Sequence, residues 1–313
     1  GGGDRGVPPP TGVCVVLSGA TDRAFVSHYG VSNLWGCDAL TVDDLRQYTH
    51  VHIGGYFSCA RMQKTLPEFL ERCAAAGCTT SIDTNDDVTT AWDPQFVFRV
   101  LPLIDVYLPN DHEAGAFAVS VMNETGCTYD GSATGAADLL AKWVRGAVVM
   151  TRGDEAAYGR MGRTAEMPVS FNARPPAVDR VVDTVGCGDA YNAAFLSQFV
   201  RCGLSPGEPL PVEMLQHAAL VGAINGSYQV TQRGASESVA TVDDLVAFCN
   251  AVEWEWPGSA VGAPPLPPLR GSTATAPTDD AQGEGDGGGG AALAVAAAAV
   301  AFVVGVAIGR ELA

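Results

Sequence analysis

The stretch Asp183–Phe195 reads DTVGCGDAYNAAF and joins a β-rich run to a helix-length segment through two glycines. Val178–Val182 precedes it as a β-rich lead, and we expect a helix to begin near Cys187. Gly186 and Gly188 allow the backbone to curl so that successive N–H groups point in one direction. The first turn of the helix adds free donors and the positive end of its dipole. The segment therefore predicts an anion-binding hole at the start of a helix.

Asp189 follows the second glycine and lies in the first turn of this predicted helix. A carboxylate at this place can accept a proton from a hydroxyl group while the N–H groups stabilise a phosphoryl group in transfer. The alternative interpretation is an ordinary turn between strand and helix. Asp189 would then be only a favourable charge near the helix N-terminus.

Short β-rich runs alternate with helix-length segments from Val13 to Trp256, which indicates an α/β protein with a mainly parallel sheet. The predicted strands are Val13–Leu17, Ala24–His28, Val51–Gly54, Thr79–Asp83, Val106–Leu108, Ala147–Thr151 and Ala156–Arg160. The predicted helices are Ala60–Ala76, Ala133–Arg145, Cys187–Arg201, Pro211–Ser227 and Val242–Val252. The first two strands lack a helix between them and predict an antiparallel hairpin with its turn at Gly19–Asp22.

The composition divides the chain into four segments. We expect a disordered lead-in over 1–12, a folded domain over 13–256, a Pro/Gly-rich acidic linker over 257–290 and an Ala-rich apolar tail over 291–313. Ala291–Gly309 carries no charge, and as a helix it would be roughly 28 Å long, close to the thickness of a bilayer core. It is interpreted either as a single C-terminal transmembrane anchor or as a low-complexity tail. The expected location is cytoplasmic, with or without this anchor.

Charge and cysteine content exclude several classes of function. The 313 residues include 18 Lys and Arg against 35 Asp and Glu, so the net charge of −17 argues against an extended nucleic-acid surface. Nine Cys without a CxxC pair disfavour a disulfide framework and a structural zinc site, and the five His form no ligand set. There is neither a GxSxG elbow nor a GxxxxGK[ST] loop, so neither an α/β-hydrolase nor a P-loop fold is indicated.

Asp183–Phe195 closely resembles the C-terminal signature DTxGAGDxF of the pfkB (ribokinase-like) family of carbohydrate and nucleoside kinases. Cys187 replaces the usual Ala, and Tyr191 replaces the usual Phe. The resemblance implies a ribokinase-like three-layer α/β/α fold with a mainly parallel sheet and a partial β lid. It also implies ATP and Mg²⁺ as cofactors, with a monovalent cation such as K⁺ as a further candidate. Asp189 would be the catalytic base, and the backbone of Gly186, Cys187 and Gly188 would form the anion hole.

Other segments resemble further family elements, in the family's order. Asn110 and Glu113 are similar to its NxxE element, and an amide and a carboxylate three residues apart suit a hydrated Mg²⁺. The exposed start of an ordinary helix can carry the same two residue types at this spacing. The residues that the resemblance assigns to the nucleotide are Thr151, Gly153, Asp183, Thr184, Asn225 and Gly234. Those that it assigns to the acceptor are Gly54, Gly55, Asp83, Asn85 and Arg23.

Two features depart from the family pattern. Relatives often place an Arg shortly after the DxN segment, whereas this chain has Asp86, Asp87 and Ala91 there. No GD…D strand or GGN element precedes Val13, so the resemblance implies a domain that is N-terminally incomplete.

The expected function is therefore ATP-dependent transfer of the γ-phosphoryl group to a hydroxyl of a sugar or related small alcohol. One alternative is a catalytically deficient remnant that binds nucleotide or is tethered to a membrane. Another is a nucleoside kinase. The resemblance to the family's lid hairpin also suggests a homodimer formed through the first two strands.

Overall fold

A computed structural model of the chain describes residues 10–18, 23–167, 169–235, 239–258 and 305–309. Its strands are β1 (Val13–Ser18), β2 (Arg23–His28), β3 (His50–Gly54), β4 (Thr79–Asp83), β5 (Val106–Tyr107), β6 (Ala147–Met150), β7 (Ala157–Met161), β8 (Ser170–Ala173) and β9 (Gly305–Gly309). Its α-helices are α1 (Val42–Leu45), α2 (Ala60–Ala76), α3 (Gln95–Arg99), α4 (Asp111–Thr125), α5 (Ala133–Leu140), α6 (Cys187–Phe199), α7 (Val212–Gln229) and α8 (Val242–Ala251).

The central sheet has the strand order β8-β7-β6-β5-β4-β3-β9. The four strands β3 to β6 run parallel, and β7, β8 and β9 are antiparallel to their neighbours. β1 and β2 form a separate antiparallel hairpin, which confirms the predicted pairing. The predicted turn of this hairpin, Gly19–Asp22, lies outside the described residues.

Helices cover both faces of the sheet and make three layers. On one face, Val51, Ile53 and Ile82 pack with α2 to α5 in one apolar core. On the other face, Val149 packs with α6 and α7 in a second core, and α8 packs on α7. Strands buried on both sides are continuously apolar, as in the run Ala147–Met150. The α/β class and the layered, mainly parallel architecture predicted from the sequence are confirmed.

The hairpin of β1 and β2, called the lid hairpin below, is joined to the main body through the segment that follows it. The Val31 N–H group donates to the Pro10 carbonyl at 3.0 Å, and the 3₁₀ turn Gly30–Leu34 packs on α2. The Cys59 thiol lies 2.7 Å from the Ser32 carbonyl. These contacts attach one end of the hairpin to α2. Of the lead-in expected over 1–12, only residues 10–12 are described.

The secondary structure differs from the expectations in three ways. Val178–Val182 is not a strand, because its backbone pairs with the end of α7, where Val182 N–H donates to the Val230 carbonyl at 2.7 Å. The helix expected over Ala133–Arg145 ends at Leu140, because the Arg145 N–H group bonds to the Leu101 carbonyl. α4, α1, α3 and β8 were not predicted.

Little of the C-terminal region lies inside the described residues. The expected linker is described only at Pro257 and Gly258, and of the expected helix 291–309 only 305–309 is described. Those five residues form β9, a strand paired with β3, rather than a helix. Without β9, β3 would be an edge strand with unsatisfied N–H and C=O groups. Pairing with these groups therefore competes with helix formation in residues 305–309. Among the described residues, no helix combines the length and apolar content needed to cross a membrane.

Candidate active site

The loop before α6 curls at Gly186, which lies in the left-handed region with a φ of +78°. A Cβ atom at this position would lie 2.9 Å from the Cα atom of Ala235, so only glycine fits the turn. α6 then begins at Cys187 without a side-chain cap. The described residues provide no acceptor for the N–H groups of Gly188 and Asp189. Two donors are therefore available at the positive end of the helix.

Asp183 fixes the position of this loop. Its carboxylate accepts hydrogen bonds from the N–H groups of Val185, at 2.9 Å, and Gly234, at 3.1 Å. The second bond ties the loop before α6 to the loop after α7. Thr184 is exposed between these anchors. The structure thus gives Asp183 and Gly234 a role in shaping the loop, and contacts of Asp183, Thr184 and Gly234 with a nucleotide stay predictions.

Asp189 is accessible to solvent, yet protein surrounds its carboxyl group on most sides. This environment raises the pKa of Asp189 to about 7, mainly through burial and secondarily through the negative charge of Asp83. A carboxyl group with a pKa near neutrality is suited to accept and release a proton at physiological pH.

Asp83 lies at the carboxyl end of β4, on the side of the sheet that α6 covers. The Asn192 side-chain amide on α6 donates to its carboxylate at 2.6 Å, and the Asn85 N–H group donates at 3.0 Å. Burial raises the pKa of Asp83, and these two hydrogen bonds oppose that rise. Asn192 thus joins the end of β4 to the helix that carries Asp189.

Gly54 and Gly55 at the end of β3 lie beside this segment. Gly54 pairs with Asp83 in the parallel register, and a Cβ atom on Gly55 would lie 3.5 Å from the Asn85 Oδ1 atom. Asn85 itself has a φ of +54°, a conformation that Asn adopts more readily than most residues. Four of the five residues predicted for the acceptor are therefore brought together.

Asn110 and Glu113 form a capping box at the start of α4. The Asn110 side-chain oxygen accepts from the Glu113 N–H group at 2.9 Å, and the Asn110 backbone and amide N–H groups donate to the two Glu113 oxygens. Glu113 is only 4% exposed. Its pKa is raised well above the usual range by burial and by the charges of Asp83 and Asp86. Asn110 and Glu113 therefore do start a helix, but Glu113 is not exposed there, and a role of the two residues at a metal stays a prediction.

Thr151 and Gly153 lie at the carboxyl end of β6, next to this cap. The Thr151 N–H group donates to the Pro109 carbonyl at 3.0 Å, and Thr151 bridges to Asn110 in parallel register. Gly153 is exposed, has a φ of +57° and has open space where a Cβ atom would lie. The two residues therefore border the same edge of the sheet as Asn110 and Glu113.

The donor set at this edge fits a hydrated Mg²⁺ and not a tightly held bare ion. In the described part of the chain, no three His, Cys, Asp or Glu side chains converge closely enough to hold a metal. Each Glu113 oxygen already accepts one hydrogen bond, but a carboxylate oxygen has a second lone pair to offer. Mg²⁺ usually keeps several waters, so one carboxylate and one amide can hold it through them.

Two further predicted site residues lie on other elements, α7 and β2. Asn225 on α7 is buried, and its amide donates to the Ala190 carbonyl of α6 at 2.7 Å. This bond explains Asn225 through helix packing, and its contact with adenine stays a prediction. Arg23 opens β2 in the hairpin, and its contact with the acceptor stays a prediction.

The sequence interpretation missed Asn192, although it lies within the quoted stretch. Its spacing from Asp189 carries a signal, because residues three apart share one face of a helix. Its partner Asp83 is 109 residues away in the chain, so the bond between them depends on the fold.

The comparisons with known proteins bear on the family and the fold. Residues 8–241 match the model of the pfkB family carbohydrate kinases. A 2-dehydro-3-deoxygalactonokinase from Haloferax volcanii is 30% identical over 164 residues, covering 50% of this chain. The matched part spans 45% of that relative's own length.

Solved structures share the fold. An adenosine kinase from Sinorhizobium meliloti aligns with a TM-score of 0.58 and 20% identity, covering 78% of this chain and 67% of its own. A ribokinase from Giardia lamblia aligns with a TM-score of 0.58 and 17% identity, and the alignment covers 77% of this chain and 72% of that chain. A ribokinase II structure from E. coli in complex with ATP and Mg²⁺ aligns with a TM-score of 0.59 and 21% identity. The alignment covers 78% of this chain and 72% of that chain. With the matched family model covering most of the folded region, the chain belongs to the pfkB family of carbohydrate kinases.

Proposed function

We propose that this chain transfers the γ-phosphoryl group of ATP to a hydroxyl group of a sugar or related small alcohol. The observation that carries the proposal is the arrangement at the start of α6. There an accessible carboxyl group, Asp189, has a pKa of about 7 and lies beside helix N–H groups that have no acceptor in the described residues. This combination supplies a base and an anion hole at one place.

Asp189 would accept the proton of the acceptor hydroxyl as that oxygen attacks phosphorus. A base with a pKa near the working pH is substantially ionised and is still basic enough to remove the proton of the hydroxyl group. The backbone of Gly186, Cys187 and Gly188 would bind the oxygens of the transferring group, together with the N–H group of Asp189. The Cys187 N–H group already donates to the Thr184 carbonyl at 3.5 Å, so the N–H groups of Gly188 and Asp189 would carry most of this binding. The left-handed turn at Gly186 is what aims the start of the helix at this place.

ATP and Mg²⁺ are the cofactors that this reaction requires. The metal offsets the charge of the phosphates and keeps them in line for transfer. Asn110 and Glu113 would hold it through water, and Thr151 and Gly153 would lie along the phosphates. The similar E. coli structure holds ATP and Mg²⁺, which supports these two cofactors. The residues proposed for further contacts with the nucleotide are Asp183, Thr184, Asn225 and Gly234, and a monovalent cation such as K⁺ is a further candidate.

The acceptor would bind at the ends of β3 and β4, against Gly54, Gly55, Asp83 and Asn85, with Arg23 approaching from the lid hairpin. The curated relative is named for 2-dehydro-3-deoxygalactonate, and the similar structures include enzymes named for ribose and adenosine. These names define the acceptors worth testing. A nucleoside acceptor is the second candidate, because an adenosine kinase shares the fold over 78% of this chain.

Release of ADP from ATP tests the proposal directly. D-ribose, adenosine and 2-dehydro-3-deoxygalactonate would each be supplied with ATP and Mg²⁺, and the phosphorylated acceptor identified by mass spectrometry. We expect at least one acceptor to be phosphorylated and ADP release to depend on it. ATP binding without transfer to any acceptor would instead support a nucleotide-binding remnant of the family.

We also propose that the hairpin of β1 and β2 is the contact of a homodimer. Val13, Val26 and Leu17 lie on one face of the hairpin and are 60%, 60% and 54% exposed. A two-stranded sheet is at best marginally stable alone, so a partner against its apolar face would stabilise it.

A further inference from the structure

A row of polar side chains lies on β3 and β4 beneath α6, outside the machinery described above. Thr79 pairs with His50 and Ser81 pairs with His52 in the parallel register, and Thr79, Ser81 and His50 are buried. The His50 ring meets the edge of Phe199 on α6, with ring centroids 5.4 Å apart. Polar groups buried at this depth need partners, and these residues find them in one another.

The row is a continuous chain of hydrogen bonds. The Thr79 hydroxyl lies 2.9 Å from His50 Nδ1, and the Ser81 hydroxyl lies 2.8 Å from both His50 Nε2 and His52 Nδ1. At its far end the Thr79 hydroxyl donates to the Thr49 carbonyl at 3.3 Å. Burial lowers the pKa of His50 to about 3 and that of His52 to about 4, so both rings are neutral. Each ring then has one N–H group and one bare nitrogen.

The Thr49 carbonyl sets the direction of the chain. If the single Thr79 proton goes to that carbonyl, the Thr79 oxygen accepts from His50 Nδ1–H, and the bare His50 Nε2 accepts from Ser81. The Ser81 oxygen then accepts from His52 Nδ1–H, which leaves His52 Nε2 without a proton. If the hydrogen bonds run in the opposite direction, the Thr79 hydroxyl donates to His50 Nδ1 and no longer to the Thr49 carbonyl. Three hydrogen bonds then form instead of four.

His52 Nε2 lies at the end of the row that faces the acceptor segment. A Cβ atom on Gly54 would lie 3.9 Å from it, in van der Waals contact, so glycine at this position leaves space beside the nitrogen. His52 is half-buried, and no residue in the described ranges bonds to its Nε2 atom. Gly54 pairs with Asp83, so the bare nitrogen lies next to the group proposed to bind the acceptor.

We propose that His52 Nε2 accepts a hydrogen bond from a hydroxyl of the acceptor, and that Ser81, His50 and Thr79 position it by fixing its tautomer. The identity of the bound molecule rests on the proposed function. A bare nitrogen favours a hydroxyl over a carbonyl or ether oxygen at the same place, because two lone pairs repel. His52 is therefore a specificity residue for hydroxyl-bearing acceptors.

The tautomer can be measured before any acceptor is added. ¹⁵N–¹H spectra of protein labelled with ¹⁵N in histidine separate protonated from bare ring nitrogens, and His52→Gln assigns the signals. We expect a protonated Nδ1 and a bare Nε2 at His52, and a mixture of tautomers in Ser81→Ala. A protonated His52 Nε2 in the parent chain would overturn the proposal.

Binding provides the second test. D-ribose, adenosine and 2-dehydro-3-deoxygalactonate would each be titrated in the presence of a non-hydrolysable ATP analogue. At least one should shift the His52 Nε2 signal, and His52→Leu should weaken binding of that compound about three- to tenfold, as expected for one neutral hydrogen bond. The matched control is Thr80→Val, which removes a hydroxyl from the opposite face of β4 and should leave the affinity unchanged.

The result separates this proposal from the proposed function. If none of the three compounds shifts the His52 signal, or His52→Leu binds all three as the parent does, the role of His52 is refuted. A shift without ADP release would keep the contact and refute the kinase activity.

Discussion

At the scale of single residues, the proton affinity of Asp189 depends on its neighbours as much as on its own chemistry. Burial raises its pKa first, and the charge of Asp83 raises it further. Asp83 is in turn held by Asn192 through a 2.6 Å hydrogen bond that favours its charged form. The proposed base and its neighbour are therefore coupled through α6.

The pH dependence of kcat/KM should report this coupling. In the parent chain kcat/KM should fall below a pH of about 7, as Asp189 becomes protonated. Asp83→Asn removes the neighbouring charge, which lowers the pKa of Asp189, so the fall should move to lower pH whatever happens to the maximal rate. Steady-state rates across the acidic and neutral range measure this, with Asp243→Asn as the control. An acid limb that stays in place or moves to higher pH would contradict the coupling.

Tyr191 carries a hydroxyl group that the fold does not use. It is buried, and its hydroxyl has no hydrogen-bond partner among the described residues. Tyr191→Phe should raise the free energy of unfolding by about 1 kcal/mol, because a desolvated group without a partner is removed. Urea denaturation measures the change. The control is Tyr158→Phe, which should destabilise the protein because the Tyr158 hydroxyl donates to Asp138 at 2.8 Å. Equal destabilisation by both variants would show that Tyr191 has a partner.

At the scale of elements, the sequence predicted strands better than it predicted what joins them. The limits of β4 and α2 match the predicted ones, because apolar periodicity and flanking glycines mark them. The segment Val178–Val182 has equally strong β propensity but bonds to the end of α7 instead of to a strand. α4 was missed because Asn110 and Glu113 were interpreted through their chemistry, although the same spacing also indicates a capping box.

The buried pair of Asp105 and Arg145 fastens the start of β5 to the end of the α5 segment. Arg145 donates to both Asp105 oxygens at 2.8 and 2.7 Å, and Asp105 is 1% exposed. Arg145→Met should lower the free energy of unfolding by about 3 kcal/mol, because it leaves a buried carboxylate without its cation. Arg46→Met, which breaks an exposed pair with Asp43, is the control and should change little. Equal effects in urea denaturation would contradict the assignment.

The hairpin dimer makes a prediction of its own. Val26 is exposed on the apolar face, so Val26→Glu should leave the fold intact and convert a dimer into a monomer. Ser27→Glu on the opposite face is the control and should remain dimeric. Analytical ultracentrifugation distinguishes the two states. A monomeric parent chain, or a dimeric Val26→Glu variant, would refute the proposed contact.

At the scale of the whole molecule, the sheet assembles the candidate site from distant parts of the chain. The carboxyl ends of β3 to β6 meet at one edge, and this brings Gly54, Asp83, Asn110 and Thr151 together. The alternation of strands and helices predicted this layering from the sequence. The bonds between Asp83 and Asn192 and between His52 and Ser81 were beyond sequence reasoning, because they depend on the packing of α6 and on strand register.

The most direct test of the central claim is the rate of phosphoryl transfer by Asp189→Asn. Asn keeps the size of the side chain but cannot accept the hydroxyl proton, so transfer should fall by at least about a hundredfold while ATP binding stays close to that of the parent. Asp243→Asn removes an exposed carboxylate from the first turn of another helix, α8, and should retain the parent rate. Transfer at the parent rate by Asp189→Asn would contradict the account.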